Sequence, residues 1–172
     1  MKNTFWRALA FILSLRPVAN WLIRRAMRTP YYPIMSRNGQ YLYMSRWWLF
    51  NAYGKNQDGS VKPARFSWLP SIRVHHICLP DDDKHEHDHP WNARSIILRG
   101  SYIEERYTHG REPRIVKKGD TYSLQAGQFH RIASVSKGGV YTLFFTWEFV
   151  EDWGFAVDGK KVLWKQYLNL EK

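Results

Sequence analysis

The 172-residue chain has a single cysteine, Cys78. That excludes an intramolecular disulfide framework and a cysteine-based zinc module. No acidic residue precedes Asp58. No apolar run reaches the roughly 18–20 residues of a membrane-spanning helix; Arg7 and Arg16 bracket only a short apolar stretch. No small-x-small cleavage site follows that stretch, so it does not read as a secretory signal. The chain is therefore expected in the cytoplasm, with peripheral membrane association as an alternative. A glycine-rich phosphate loop, a serine nucleophile elbow and a His–Cys dyad are also missing. Internal repeats and low-complexity tracts are absent.

What is present is aromatic and basic. Aromatic residues make up 16% of the chain, including nine Trp and ten Tyr, which suits a strand-rich body. The net charge is +11, and its source is local. Residues 1–57 hold nine Lys and Arg, whereas the remainder is nearly balanced. Such a basic segment attracts nucleic-acid phosphates or an anionic membrane, or serves only as a solvated face.

Residues 1–30 read as a basic helical hairpin. Phe5, Leu9, Ile12 and Leu13 recur at helical spacing, and Val18, Trp21, Leu22 and Ala26 line one face of a second helix. Ser14 is its expected N-cap, with Pro17 in the first turn. Residues 31–172 read as one strand-rich domain. Short strands at spacings of roughly ten residues indicate a sandwich or barrel. Asn38-Gly39 and Asp158-Gly159 mark tight hairpin turns, the second in a C-terminal hairpin. Ser71 to Leu79 carries Arg73, His75 and Ile77 on one side and Val74, His76 and Cys78 on the other.

The chemistry concentrates in His85-Glu86-His87-Asp88-His89-Pro90-Trp91. On an extended strand, His85, His87 and His89 would share one face, as ligands of a divalent transition metal or as a solvated polar loop. A second stretch, Gly119 to His130, places a glycine, a turn glycine at Gly127 and a histidine three residues later.

Together these two stretches resemble the motifs of the cupin superfamily. His87-x-His89 stands eleven residues before Gly100, and Gly119-x5-Gln125-x-Gly127-x2-His130 follows. The resemblance covers about residues 71–149. It implies a mostly β fold, an antiparallel jelly-roll barrel, here with an N-terminal α-helical extension, and a metal held by His87, His89 and His130. The chain departs from the pattern at Asp81, Gln125 and Ser134. Ala93 occupies the place of the family's metal-binding glutamate.

The resemblance thus implies a three-histidine site for a divalent transition metal, iron first, with zinc, manganese or nickel as alternatives. A degenerate structural site is the competing reading. In the family pattern the second and fourth residues after Gly100, Tyr102 and Glu104, face the barrel interior. Glu104 is then a candidate catalytic base, an additional ligand, or the partner of an interior arginine such as Arg73. Tyr102 and Trp91 are candidate pocket walls, and His85 a rim residue. The chain is also similar to small cupin-like proteins of bacteria and their phages, a similarity that implies a fold without an activity.

Three functions follow. The first is a metal-dependent enzyme, a non-haem iron dioxygenase in preference to an isomerase, acting on a small anionic molecule. The second is a non-catalytic metal- or sugar-binding module. The third is an interaction protein that docks through its basic helices on nucleic acid, membrane or a larger assembly. A homodimer formed by sheet extension is compatible with all three.

Overall fold

A computed structural model describes residues 2–56, 58–106 and 113–170. Two helices, α1 (Lys2–Ser14) and α2 (Arg16–Ala26), precede the strands. The chain continues through β1 (Pro30–Met35), β2 (Leu42–Phe50) and a small hairpin, β3 (Gly54–Lys55) and β4 (Val61–Lys62). Then come β5 (Ser71–Ile77), β6 (Trp91–Arg99), β7 (Ser101–Arg106), β8 (Arg114–Lys117), β9 (Thr121–Leu124), β10 (His130–Val135) and β11 (Val140–Phe149). A C-terminal hairpin, β12 (Gly154–Val157) and β13 (Lys160–Leu163), leads into the short helix α3 (Trp164–Tyr167).

One wall of the barrel is a six-stranded antiparallel sheet ordered β1-β2-β5-β11-β6-β9. The other is built on the three-stranded sheet β10-β7-β8. Gly100 lets the chain pass from the first wall to the second. It has φ +78°, and a Cβ there would lie 2.4 Å from the Gly139 carbonyl oxygen, so both conformation and close approach demand glycine.

The central strands are buried on both faces. Val74, Ile96, Leu98, Leu143 and Phe145 face the helices and share one apolar cluster with Ala10, Ala19, Leu22, Ile23 and Ala26. The alternate residues face the barrel interior, where Ile77, Ile97, Tyr102, Val116, Ile132 and Val140 form a second cluster. A sheet covered on one side by helices and on the other by its barrel mate loses the polar-out alternation of a half-exposed sheet.

The helices sit on this sheet through part of the expected stripes, Leu9, Leu13, Val18, Leu22 and Ala26, with each helix rotated toward its small residues. Trp6, Leu9, Ala10 and Leu13 of α1 turn inward, with Ala19, Leu22, Ile23 and Ala26 of α2. Phe5, Ile12 and Trp21, expected in the buried stripes, are exposed. Small Ala10, Ala19 and Ala26 bring the helix backbones close to a sheet that already carries bulky Trp47 and Phe145. Ser14 does not cap α2: Leu15 takes that position, and the Ser14 hydroxyl donates to the Phe11 carbonyl at 3.0 Å. Pro17 does occupy the first turn. No helix among the described residues is long and apolar enough to cross a membrane.

Candidate metal centre

The histidine segment lies between β5 and β6 and is not the strand expected of residues 85–89. Backbone pairing on two sides makes it extended nonetheless. His87 N–H donates to the His130 carbonyl and His130 N–H to the His87 carbonyl, both at 2.9 Å. On the other side, Asp88 N–H donates to Gly154 O at 3.1 Å and Ala156 N–H to Glu86 O at 2.9 Å. The segment is thus a splint between β10 and β12, joining the C-terminal hairpin to the second wall. Fully buried Asp88 fastens the joint: Oδ1 accepts from Gly154 N–H at 2.7 Å and Oδ2 from Lys161 Nζ at 2.6 Å. Asp81 anchors the loop's beginning, donating its backbone N–H to the Ile132 carbonyl at 2.9 Å and accepting the Ile132 N–H on Oδ2 at 2.8 Å.

This pairing brings His87, His89 and His130 together, with one ligand atom from each within 4.8 Å of the others. It is the one cluster of three or more such ligands among the described residues. Ring centroids are 4.9 Å apart for His87–His130, 5.0 Å for His89–His130 and 5.2 Å for His87–His89. Burial pushes His87 down to about 4, with help from His130 and against the pull of Asp81. Burial also lowers His89 well below the ordinary value, reinforced by His130 and His87. Both are neutral near pH 7 and retain the lone pair that a metal requires.

His130 is oriented by Glu104. Glu104 is 0% exposed, and its Oε1 lies 3.0 Å from His130 Nδ1. Burial would raise its carboxyl, but the hydrogen bonds and charges of His130 and Arg106 outweigh burial and bring it to about 2. An ionised carboxylate only accepts, so the shared proton belongs to Nδ1. In the neutral imidazole Nε2 then keeps its lone pair, and it faces His89 Nε2 at 2.8 Å. Without a proton or a cation between them, two such lone pairs repel. The donor set therefore fits a divalent transition metal bound by neutral imidazoles, with a carboxylate behind one of them.

Arg106 donates to Glu104 from Nε at 2.9 Å, and Arg114 from Nη2 at 2.6 Å. These arginines, rather than Arg73, are its partners. Glu104 faces the back of His130, where it holds a ring in place.

Arg73 stands elsewhere, in a cavity of about 800 Å³ that the three histidines also line. It is 3% exposed and pairs with no carboxylate among the described residues, and its Nε has no hydrogen-bond partner. Its guanidinium is caged by Trp48, Trp91, Tyr53 and Phe144, at 5.0 to 5.8 Å from their ring centroids. Phe144 also meets His89, at 6.0 Å between ring centroids, so a single ring separates the arginine from the histidine cluster. Two more orphaned polar atoms, His75 Nε2 and Thr142 Oγ1, belong to residues lining the same cavity. They face one another across β5 and β11, where His75 pairs with Thr142 and Arg73 with Phe144. Burial, then the charges of Arg73 and Arg46, push His75 well below its ordinary value. Buried polar groups without partners are costly, and their concentration on one wall points to a polar ligand.

Trp91 and Tyr102 line the cavity, and the Tyr102 hydroxyl pairs with that of Tyr122. Burial raises the Tyr122 phenol, keeping it protonated. His85 does not line the cavity; its Nδ1 meets the Tyr167 hydroxyl at 2.9 Å. Ala93 packs with Leu124 and Phe144 in a small apolar cluster, so no carboxylate enters from that position. Sequence reasoning passed over Asp81, Asp88, Thr142 and Lys161. The parity of Thr142 could have been read from β11, but the partners of the two aspartates are 51 and 66 residues away in the chain.

No protein-family model matches the sequence, and no curated protein matches it. Solved structures do. A cupin-2 domain protein from Rhodospirillum rubrum superposes with a TM-score of 0.50 at 12% identity, over 74% of each chain. A cupin-like protein from Thermotoga maritima gives 0.39 at 14% identity, covering 73% of this chain and 83% of that one. An oxalate decarboxylase variant from Bacillus subtilis gives 0.48 at 11% identity, over 72% of this chain and 28% of its own. The fold is the cupin-type jelly roll, carrying an N-terminal helical extension.

Proposed function

We propose that this protein is a metal-dependent cupin enzyme that acts on a small anionic molecule. His87, His89 and His130 would hold a divalent transition metal, iron in preference to zinc, manganese or nickel. The observation that carries the reading is the pair of facing Nε2 atoms of His89 and His130, with His87 beside them and Glu104 behind. Such an ion supplies Lewis acidity and, as iron, redox chemistry with open positions for substrate and oxygen. Arg73, with its aromatic cage, supports an anionic substrate: a carboxylate or phosphate would provide the counter-charge that none of the described residues does. His75 and Thr142 would take the polar atoms next to that anion, Phe144 would pack against its body, and the caged arginine would fix its orientation toward the histidines. Glu104 acts through His130, as a positioning residue that holds the proton on Nδ1. A non-haem dioxygenase is the favoured activity.

The test is elemental analysis of untagged protein, as purified and after reconstitution with iron, zinc, manganese and nickel. One metal per chain is expected, lost in His87→Ala and in His130→Ala. Sub-stoichiometric metal under every condition would overturn the reading. Oxygen consumption with anionic thiol and diketone substrates then tests the dioxygenase assignment. Metal binding with ligand protection but no turnover would make the protein a binding module instead.

A further inference from the structure

The helical hairpin that covers the six-stranded sheet has an outer face with no partner in the fold. Phe5, Ala8 and Ile12 recur along α1 at spacings of three and four residues, with Phe11 beside them and Leu15 at the junction with α2, and all are exposed. Phe5 is 62% and Phe11 66% exposed. On α2, Trp21 is 60% exposed and shares its side of the helix with Arg24 and Arg25, and exposed Arg28 follows in the turn just past the helix. The apolar surface continues beyond the helices: Trp6 meets both Phe5 and Trp147, and Trp147 and Phe149 are exposed. Along the two helices the charge is of one sign. Arg7, Arg16, Arg24, Arg25 and Arg28 are exposed, and none forms an ion pair among the described residues. The hairpin itself contains no acidic residue, and exposed Glu148, between Trp147 and Phe149, marks the edge of the basic surface.

We infer that this face docks on an anionic lipid bilayer, with the hairpin lying in the interface. Two properties have to be matched at once. The arginines require negative charge at the surface, and the Phe, Ile, Leu and Trp side chains require an apolar layer immediately beneath it. An anionic bilayer provides both at the depth reached by one helix face. A nucleic-acid backbone satisfies the arginines but leaves five large apolar side chains in water. A second copy of this chain would bring two sets of arginines together. The helices are anchored by their opposite, alanine-rich face, so docking requires no unfolding.

The experiment is co-sedimentation of the chain with phosphatidylcholine vesicles, with and without phosphatidylglycerol, at low and high salt. Retention is expected only on the anionic vesicles and should weaken with salt. Arg24→Gln, Arg25→Gln and Arg28→Gln together should reduce the partition coefficient roughly hundredfold, at about 1 kcal/mol per cation. Phe5→Ser, Phe11→Ser and Trp21→Ser together should also abolish retention while leaving the unfolding temperature unchanged, because all three are exposed. Failure of the unaltered chain to bind either vesicle overturns the proposal, as does undiminished binding by the apolar triple variant. Concentration-dependent dimerisation that the apolar variant abolishes would assign the face to a second copy and overturn it as well. Tight retention of duplex DNA, lost in the arginine variant but not in the apolar one, would do the same.

Discussion

Glu104 Oε1 lies 3.0 Å from His130 Nδ1, on the side of the imidazole turned away from the other two histidines. The carboxylate also accepts from Arg106 and Arg114, so a single buried group orients a candidate ligand and pairs with two cations. Glu104→Gln keeps the shape, loses the charge and leaves the His130 tautomer unspecified. Metal affinity, measured by competition with a chelator, should fall about 10–100-fold. The same variant should lose stability in denaturant titration, by up to about 3 kcal/mol, because partly buried Arg106 loses its counter-charge.

Replacing Arg73 should have the opposite effect on stability. Its guanidinium is buried without a carboxylate, a cost that the aromatic cage offsets only in part. Arg73→Met is expected to leave the unfolding temperature unchanged or raise it, while protection by small carboxylates or phosphate disappears. A variant that unfolds more readily and still gains protection from the anion would show the arginine to be structural.

Acid should destabilise the metal-free protein in two steps. His87 falls from 6.5 in the unfolded chain to about 4 in the fold, and His89 and His75 are lowered too. Between those values the unfolded state binds the proton and the folded state refuses it. Stability is therefore complete above about pH 6.5 and declines as pH falls toward 4. Glu104, lowered from 4.5 to about 2, adds a second decline in that lower window. Urea midpoints measured across this range check both; a midpoint that stays constant between neutrality and pH 4 would contradict the burial of the histidines.

Asp88 ties the histidine segment to the C-terminal hairpin through Gly154 and Lys161. Asp88→Ala removes the acceptor for a buried backbone N–H and leaves Lys161 with Glu151, at 3.2 Å, as its remaining partner. About 3 kcal/mol or more should be lost. Limited proteolysis should then cut between residues 151 and 170 before it cuts the barrel. Cleavage elsewhere first would mean that the hairpin is held by its aromatic stack, such as Phe155 on Tyr167, rather than by this joint.

The seating of α1 can be checked with two substitutions. Ala10 is fully buried and Ile12 is exposed, although hydrophobicity alone would rank them the other way. Ala10→Leu should cost about 1–3 kcal/mol by overpacking. Ile12→Ser should change stability by no more than about 0.5 kcal/mol.

That inversion marks a limit of the sequence. The strand pattern, the hairpin turns and the spacing of His87, His89 and His130 were legible because alternation, turn chemistry and motif spacing are local properties. The chain of the barrel could be followed from them, including the break at Gly100. Alternation set Arg73 and His75 on one face for the same reason, whereas the inward position of Glu104 was implied by the family resemblance. Partner choice was not. Glu104 could be read as a ligand, a base or the partner of Arg73, and only the pairing of β7 with β8 and β10 puts Arg114 and His130 around it. The extended form of residues 85–89 was expected from alternation but arises from neighbours, β10 on one side and β12 on the other. Helix orientation escaped because α1 is apolar on more than one face, so its periodicity does not choose which face is buried.

By itself, the sequence determined the alternation of the strands, the concentration of positive charge in the first 57 residues and the presence of three histidines at motif spacing. Tertiary structure decided which groups oppose which. It put a carboxylate behind His130, left Arg73 without one among the described residues, and turned the phenylalanines of α1 toward solvent. The physical reason is that ion pairing and burial depend on distances between segments remote in the chain, whereas propensity and periodicity register only neighbours along it.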